Sequence, residues 1–391
     1  MTVGHGRSRR TRRGGLFTLL AAAVVVVVGI GVLVVAYLKV SNALSPAATT
    51  AAGESLVSVP ASSAPKAGGD SQLTLSAVGD TIMGAAPTGL PPNNGHGFFD
   101  DVAEHLHADL QMANLEQPLT DDTGVGKCSA STASRTCFQF RSPPSYAGVL
   151  KEAGFALVNL ANNHAYDFGP AGHTNTRKAL DNAGVKYTGP PGMITVVTVK
   201  GVKVAVLGFA SYPWSNDLTN IPKGQELVRQ AKGQAEIVVI QVHMGGEGAD
   251  HTHVKPGIDM FLGENRGDPI AFSHAMIDAG ADVIIGHGPH VMRAIEFYQG
   301  KLVAYSLGNF AGYHALGYSG VVGVTGILRV TLRQDGSYVA GSLVSTYMVA
   351  PGAPRMDPRK QAISLVSSLT KADFPKTGAR IGADGTVTPP S

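Results

Sequence analysis

The sequence predicts an α/β layered fold, preceded by one membrane-spanning helix. Three observations predict it. From residue 72 onward, short β-branched apolar runs alternate with helix-like segments. Several of those runs end directly before carboxylate, amide or imidazole side chains. One long stretch near the N-terminus carries no charge.

The elements follow in order. Residues 1–13 form a basic segment with Arg7, Arg9, Arg10, Arg12 and Arg13. Residues 14–38 are the membrane helix: Leu16 to Leu38 reads LFTLLAAAVVVVVGIGVLVVAYL. Those 23 residues would span about 34 Å at ~1.5 Å per residue, and a bilayer core needs ~20 apolar residues. The arginines before it place the N-terminus in the cytoplasm and the rest of the chain outside. A cleaved signal peptide is the alternative, although its apolar region runs only ~7–15 residues. Residues 39–71, rich in Ala, Ser, Thr, Pro and Gly, form a flexible linker.

The formal charge of +3 belongs to the N-terminus. Residues 1–40 hold six of the 31 basic side chains and no acid, leaving 25 against 28 acidic ones, about −3. The folded part is therefore not expected to bind nucleic acid. With 44% apolar and 15% charged residues, a disordered chain is excluded and a sizeable core is available.

The body spans residues 72–352. Its strand-like runs are Leu73–Gly79, Ala108–Leu115, Phe155–Ala161, Lys203–Ala210, Glu236–Val242 and Asp282–Ile285, with helical patterns at Pro144–Gly154, Ala171–Ala183, Pro222–Lys232 and Asp268–Ala279. Later runs at Ala294–Tyr298, Leu302–Ser306, Gly323–Leu332 and Tyr338–Thr346 have few helices between them and predict a hairpin-rich second sheet. Residues 353–391 read as a polar extension, with a short helix at Arg359–Thr370 and a mobile remainder. The only two cysteines, Cys128 and Cys137, share one polar stretch. Outside the cytoplasm a local disulfide is expected, with two free thiols as the alternative.

Sites in open α/β sheets form beyond the carboxyl ends of strands. Asp80, Glu116, Asn163, His164, His243, His287 and His290 each follow an apolar run, so one shared sheet would bring all seven to one edge. Two carboxylates, an amide and several imidazoles suit one or two divalent ions of the Mn, Zn or Fe kind. Such ions polarise a phosphoryl or acyl group and activate water, while a separate His protonates the leaving oxygen. Each residue also has a structural alternative, a Gly-Asp turn at Asp80 or a buried core imidazole at His243. His251, His253 and His274 are weaker candidates. Asp167, three residues after His164, is placed to orient that imidazole.

At these residues the chain resembles the CapA family of capsule or poly-γ-glutamate biosynthesis proteins, itself similar to calcineurin-like metallophosphatases. The matching stretches are Val78–Gly84, Asn114–Thr120, Leu160–Gly169, His243–Glu247, Ile285–His290 and Tyr305–Phe310. The resemblance covers roughly residues 72–350 and implies a four-layer α/β/β/α sandwich. It implies Asp80, Glu116, Asn163, His243, His287 and His290 as metal ligands and His164 as the acid. Asn162, Asp167, Glu247 and Asn309 would support these or touch substrate. The chain departs from the pattern at Ile82, where metallophosphatases usually place a His, and at Met244, Gly248 and Gly288.

The function expected is a membrane-anchored, extracytoplasmic role in making or exporting an anionic polymer, using a metal-dependent phosphoesterase-like site. The polymer or a phosphoester would be its substrate, and membrane synthase or export subunits its partners. A non-catalytic polymer-binding or assembly subunit is the first alternative. A metal-dependent amidase or peptidase is the second. No GxxxxGK[ST] phosphate loop is present, so polymerisation itself would need another protein.

Overall fold

The computed structural model describes residues 71–122, 124–128 and 137–391. The expected membrane helix at 14–38 lies outside them, as does the linker up to residue 70. Among the described residues, no helix is long and apolar enough to cross a membrane.

The described chain opens with β1 (Gln72–Ile82), α1 (Ala103–Leu106), β2 (Leu110–Leu115), α2 (Tyr146–Glu152), β3 (Leu157–Asn159), α3 (Gly169–Ala183) and β4 (Lys186–Thr188). β5 (Thr195–Val199), β6 (Val202–Ala210), β7 (Asn216–Asp217), α4 (Ile221–Lys232) and β8 (Ile237–His243) come next. Then follow a small hairpin, β9 (Met260–Phe261) and β10 (Glu264–Asn265), and α5 (Pro269–Asp278) with β11 (Val283–His287). The remainder is β12 (Ile295–Tyr298), β13 (Lys301–Ala304), β14 (Asn309–Gly312), β15 (Val324–Arg333), β16 (Tyr338–Val349), β17 (Ala353–Met356), α6 (Gln361–Asp373), β18 (Arg380–Ile381) and β19 (Thr386–Thr388).

These strands build two main sheets. The first runs β18-β19-β16-β15-β1-β2-β3-β4, with β14 on β1 and β17 on β16. The second runs β12-β13-β11-β8-β6-β5, with β7 on β6. Side chains alternate between faces with the pleat. In β6, Val204 and Val206 point between the sheets, while Ala205 and Leu207 point outward. Ile237 and Val239 of β8 and Val283 and Ile285 of β11 face inward with Leu73, Leu75 and Met112 of the first sheet. The outer face of the first sheet is covered by Leu106, Leu150 and Leu180 of α1 to α3. That of the second is covered by Val228 of α4 and Phe272 of α5. The result is four layers, α/β/β/α.

The helix starts are written locally. Asn220 accepts from the Lys223 amide ahead of α4, and Asp268 accepts from the Ile270 and Ala271 amides ahead of α5. α3 stops at Gly184, whose φ of 68° suits glycine.

Two expectations change. The late hairpins do not share one sheet: β12 and β13 extend the second, while β15 and β16 join the first beside β1. Periodicity marks a strand but not its neighbour. Residues 353–391, read as a polar extension, are built into the fold. β17 and β19 pair with β16, and Ala362 and Val366 of α6, four apart on one helix face, are buried in the core between the sheets.

Candidate metal centre

The polar residues that follow the apolar runs do meet, but on two sheets rather than one. β1, β2 and β3 are parallel and end together. β8 and β11 are parallel in the facing sheet, with His287 directly opposite His243. Asp80 sits where β1 exchanges its antiparallel neighbour β15 for β14, and pairs there with Asn309. Gly79 is required just before it, because a Cβ would collide with the Gly308 carbonyl. At Gly288, φ is 106° and a Cβ would come within 2.9 Å of the His243 ring. Any side chain at this position would press on that ring.

Asp80, Glu116 and His290 each present one atom, all within 4.8 Å of one another. His290 Nδ1 lies 3.1 Å from Asp80 Oδ2 and 2.9 Å from Asn309 Oδ1. His243 Nε2 lies 3.0 Å from Glu116 Oε1, joining the two sheets. Asn114 Nδ2 donates to Asp80 Oδ1 at 2.8 Å and Glu116 Oε2 at 3.4 Å. Its Oδ1 accepts from Asn159 at 3.1 Å and Asn162 at 3.0 Å. Asn162 also accepts from the His164 amide and donates to the Leu115 carbonyl.

The charges follow from this burial. Burial pushes Asp80 up, but the bond and charge of His290, with His287 and His243, hold it well below the usual carboxylate range. Glu116 goes the other way: burial first, then the Asp80 charge, raise it well above that range. Burial opposes a charge on His290, yet Glu116, Asp80 and Glu247 outweigh it and push its pKa up to about 10. His287 is lowered by burial to about 4, and burial together with Arg266 holds His243 well below the usual value.

The site's donor chemistry fits a divalent cation. Beside a cation Glu116 would be ionised and would accept Nε2–H from His243, and Gln241 Oε1, 3.2 Å away, accepts Nε2–H from His287, which leaves a lone pair on each Nδ1. Both Nδ1 atoms and Asn163 Oδ1 are buried with no protein partner. An unmade buried bond costs about 1–3 kcal/mol. Three such acceptors beside two carboxylates form a borderline-ligand set. A cation among them would let both carboxylates ionise, and a ligating His290 would have to give up its proton. Ile82 is fully buried and offers no ligand.

His164 is 5% exposed and its Nδ1 lies 2.8 Å from Asp167 Oδ2. Burial lowers its pKa against the pull of Asp167. Glu247 binds Asn163 Nδ2 at 3.4 Å and Arg266 Nη2 at 2.8 Å. Cys128 and Cys137 are bonded. His253 and His274 belong elsewhere, on Asp373 and Glu296.

The sequence reading missed Asn114, Asn159, Gln241, Arg266 and Lys127. Asn114, Asn159 and Gln241 lie inside strands that read as apolar runs, and a buried polar residue within such a run was the available signal. Arg266 is 4% exposed, sits over the Tyr212 and Phe261 rings at 5.6 and 5.5 Å, and leaves Nη1 without a partner. Nothing in its local sequence marks it.

The family model described as bacterial capsule synthesis protein PGA_cap matches residues 74–313, which contain every residue of this centre. The capsule biosynthesis protein CapA of Bacillus anthracis is 31% identical over 268 residues, 61% of this chain and 59% of that protein. The PGA biosynthesis protein CapA of Bacillus subtilis is 30% identical over 260 residues, 62% of this chain and 63% of that protein. The chain thus spans about six-tenths of the length of these relatives. Among solved structures, a 5′-nucleotidase precursor from Thermus thermophilus is similar at 15% identity and a TM-score of 0.40, covering 77% of this chain and 59% of that one. The NAD nucleotidase of Haemophilus influenzae is similar at 13% identity and 0.38, covering 77% and 56%.

Proposed function

We propose a function from one premise: the chain belongs to the bacterial capsule synthesis protein family. It works outside the cytoplasm, held to the membrane by residues 14–38. There it serves the assembly or export of an anionic polymer of the poly-γ-glutamate type, by hydrolysing a phosphoester or related bond. Membrane synthase or export subunits are its partners. The observation that carries the hydrolytic part is the set of unpartnered atoms, His243 Nδ1, His287 Nδ1 and Asn163 Oδ1, beside buried Asp80 and Glu116.

Asp80, Glu116, Asn163, His243, His287 and His290 would hold one or two divalent ions. When bound, such an ion supplies Lewis acidity and a water that ionises near neutral pH. The chain's own residues do the rest. Glu116 fixes the His243 tautomer and Gln241 that of His287. Asp167 accepts the His164 Nδ1 proton, so Nε2 is the atom left to protonate a leaving oxygen. The unpaired Nη1 of Arg266 is a donor for an anionic group of the substrate.

A second reading, a non-catalytic polymer-binding subunit with one ion, is favoured by the buried Ile82 where a second ion would want a ligand. The test is metal content per mole of purified full chain, beside Asp80→Ala and His287→Ala. Two ions lost in both variants support the hydrolase. One ion supports the second reading. A folded chain that takes up neither Mn nor Zn sinks the metal centre.

A further inference from the structure

Asp167 is fully buried and held from three sides. His164 Nδ1 lies 2.8 Å from Oδ2, the Phe140 amide donates to the same oxygen at 2.7 Å, and Lys127 Nζ lies 2.7 Å from Oδ1. The Lys127 amide also donates to the Asp167 carbonyl at 2.8 Å. Lys127 Nζ donates to the Asn163 carbonyl at 3.3 Å and lies 3.3 Å from His164 Nδ1, whose proton goes to Asp167. The Phe140 ring packs 4.7 Å from the His164 ring.

Two of those three holds come from the two legs of one loop. Lys127 immediately precedes Cys128, and Phe140 follows Cys137 by three residues. The legs have little else to fix them. None of residues 124–128 and 137–139 is buried, and Val125 and Phe138 are 97% and 61% exposed. Among the described residues, the legs are joined by the disulfide and by a hydrogen bond from the Cys128 amide to Gln139 Oε1 at 3.1 Å. Apolar burial cannot hold such a segment, so a covalent link must.

We propose that the Cys128–Cys137 disulfide is the clasp that keeps Lys127 and Phe140 on Asp167, and that Lys127 is a positioning residue for the His164 proton donor. This rests on the hydrolase reading for its effect on turnover, but not for its effect on His164. The clasp and the metal centre are separable, because neither Lys127 nor the cysteines belong to the proposed ligand set.

The experiment uses the full, metal-loaded chain, oxidised and after dithiothreitol. Reduction moves two electrons and two protons to the cystine sulfurs and leaves the reagent as its cyclic disulfide. With only two cysteines in the chain, it opens one bond. The first readout is the Nδ1–H resonance of His164 in protein labelled with ¹⁵N-histidine, assigned by its loss in His164→Ala. Reduction, Lys127→Met and the double change Cys128→Ser/Cys137→Ser should each broaden or shift it, while Lys127→Arg preserves it and metal content stays constant. The second readout is leaving-group dependence. A lost proton donor should slow an alkyl phosphodiester about tenfold or more and a p-nitrophenyl ester far less, because nitrophenolate leaves unprotonated. A His164 resonance indifferent to reduction overturns the clasp, as does an equal loss on both esters. If the oxidised chain turns over neither ester, the hydrolase reading fails, and the resonance alone decides the clasp.

Discussion

The candidate centre has two walls. At the strand ends of the first sheet, Asp80, Asn114, Glu116 and Asn159, with Asn162 just beyond β3, engage one another, and Asn163 next to them leaves its Oδ1 without a partner. On the second sheet and its loops, His243, His287, Gln241 and Arg266 each leave a buried nitrogen without one. A satisfied buried network stabilises and specifies a fold; unsatisfied groups cost free energy unless something else completes them. The asparagine network of the first wall is therefore part of the scaffold, and it holds Asp80 and Glu116 in place. The second is shaped for a visitor.

The largest expected effect separates the walls directly. His287→Asn should lower metal affinity by well over about a hundredfold, beyond what the loss of an outer partner costs. In metal-free protein it should cost only about 1 kcal/mol, because Nδ1 makes no hydrogen bond, stands 3.9 Å from Asp80 Oδ1, and the hydrogen bond lost is the one to Gln241. Asn114→Leu should do the reverse. It strips Asp80, Asn159 and Asn162 of a shared partner and should destabilise the metal-free fold by about 2–4 kcal/mol. Urea unfolding with and without chelator measures both. Equal costs in the metal-free state would dissolve the distinction.

Gln241→Met is a gentler probe of the second wall. The Gln241 side chain is fully buried, accepts from His287 Nε2, and does not itself touch the carboxylates. Removing it frees the His287 tautomer, so metal affinity should fall about 10–100-fold while the fold is little affected. Isothermal titration with Mn or Zn would show it, and unchanged affinity would mean that Gln241 is packing only.

This division also explains what the sequence could disclose. Asp80, Glu116, Asn163 and the imidazoles are legible because each terminates an apolar run, where a polar residue needs a reason. The disulfide is legible because two cysteines share one short stretch. Asn114, Asn159 and Gln241 lie within runs that read as uniformly buried strands, and their partners are fixed by lateral pairing that no local period encodes. Lys127 meets Asp167 from forty residues away, through a loop with no secondary-structure signal. The four layers follow from strand and helix alternation with the resemblance, but the assignment of β15 and β16 to the first sheet does not.

The smallest predicted effect asks whether the first wall answers to pH, and it runs through His173. That side chain lies under Tyr166, ring to ring at 4.8 Å; Tyr166 stacks on Trp214, whose Nε1 donates to the Asn162 carbonyl at 2.9 Å. Burial, then the neighbouring Arg177 charge, lowers the His173 pKa to about 4. Its unfolded value is ordinary, about 6.5. Above that value the imidazole is neutral in both states and contributes no slope. Between pH 6.5 and 4 the unfolded chain binds a proton that the fold refuses, so stability falls as pH falls across that window. His287 and His243 act in the same direction, and a metal on their nitrogens keeps them just as unprotonated in the fold while the unfolded chain takes up their protons. Metal-loaded protein, in which His290 and Glu116 are also held deprotonated, should therefore show the steeper acid slope, which His173→Gln reduces only in part. The metal-free protein, where the raised Glu116 pKa works in the opposite direction, should show a shallower one that His173→Gln reduces by a larger share. Urea midpoints from pH 7 to 4.5 for the two proteins in both states give the comparison. An acid slope that metal leaves untouched would place the pH response in the first wall alone and reverse the assignment made here.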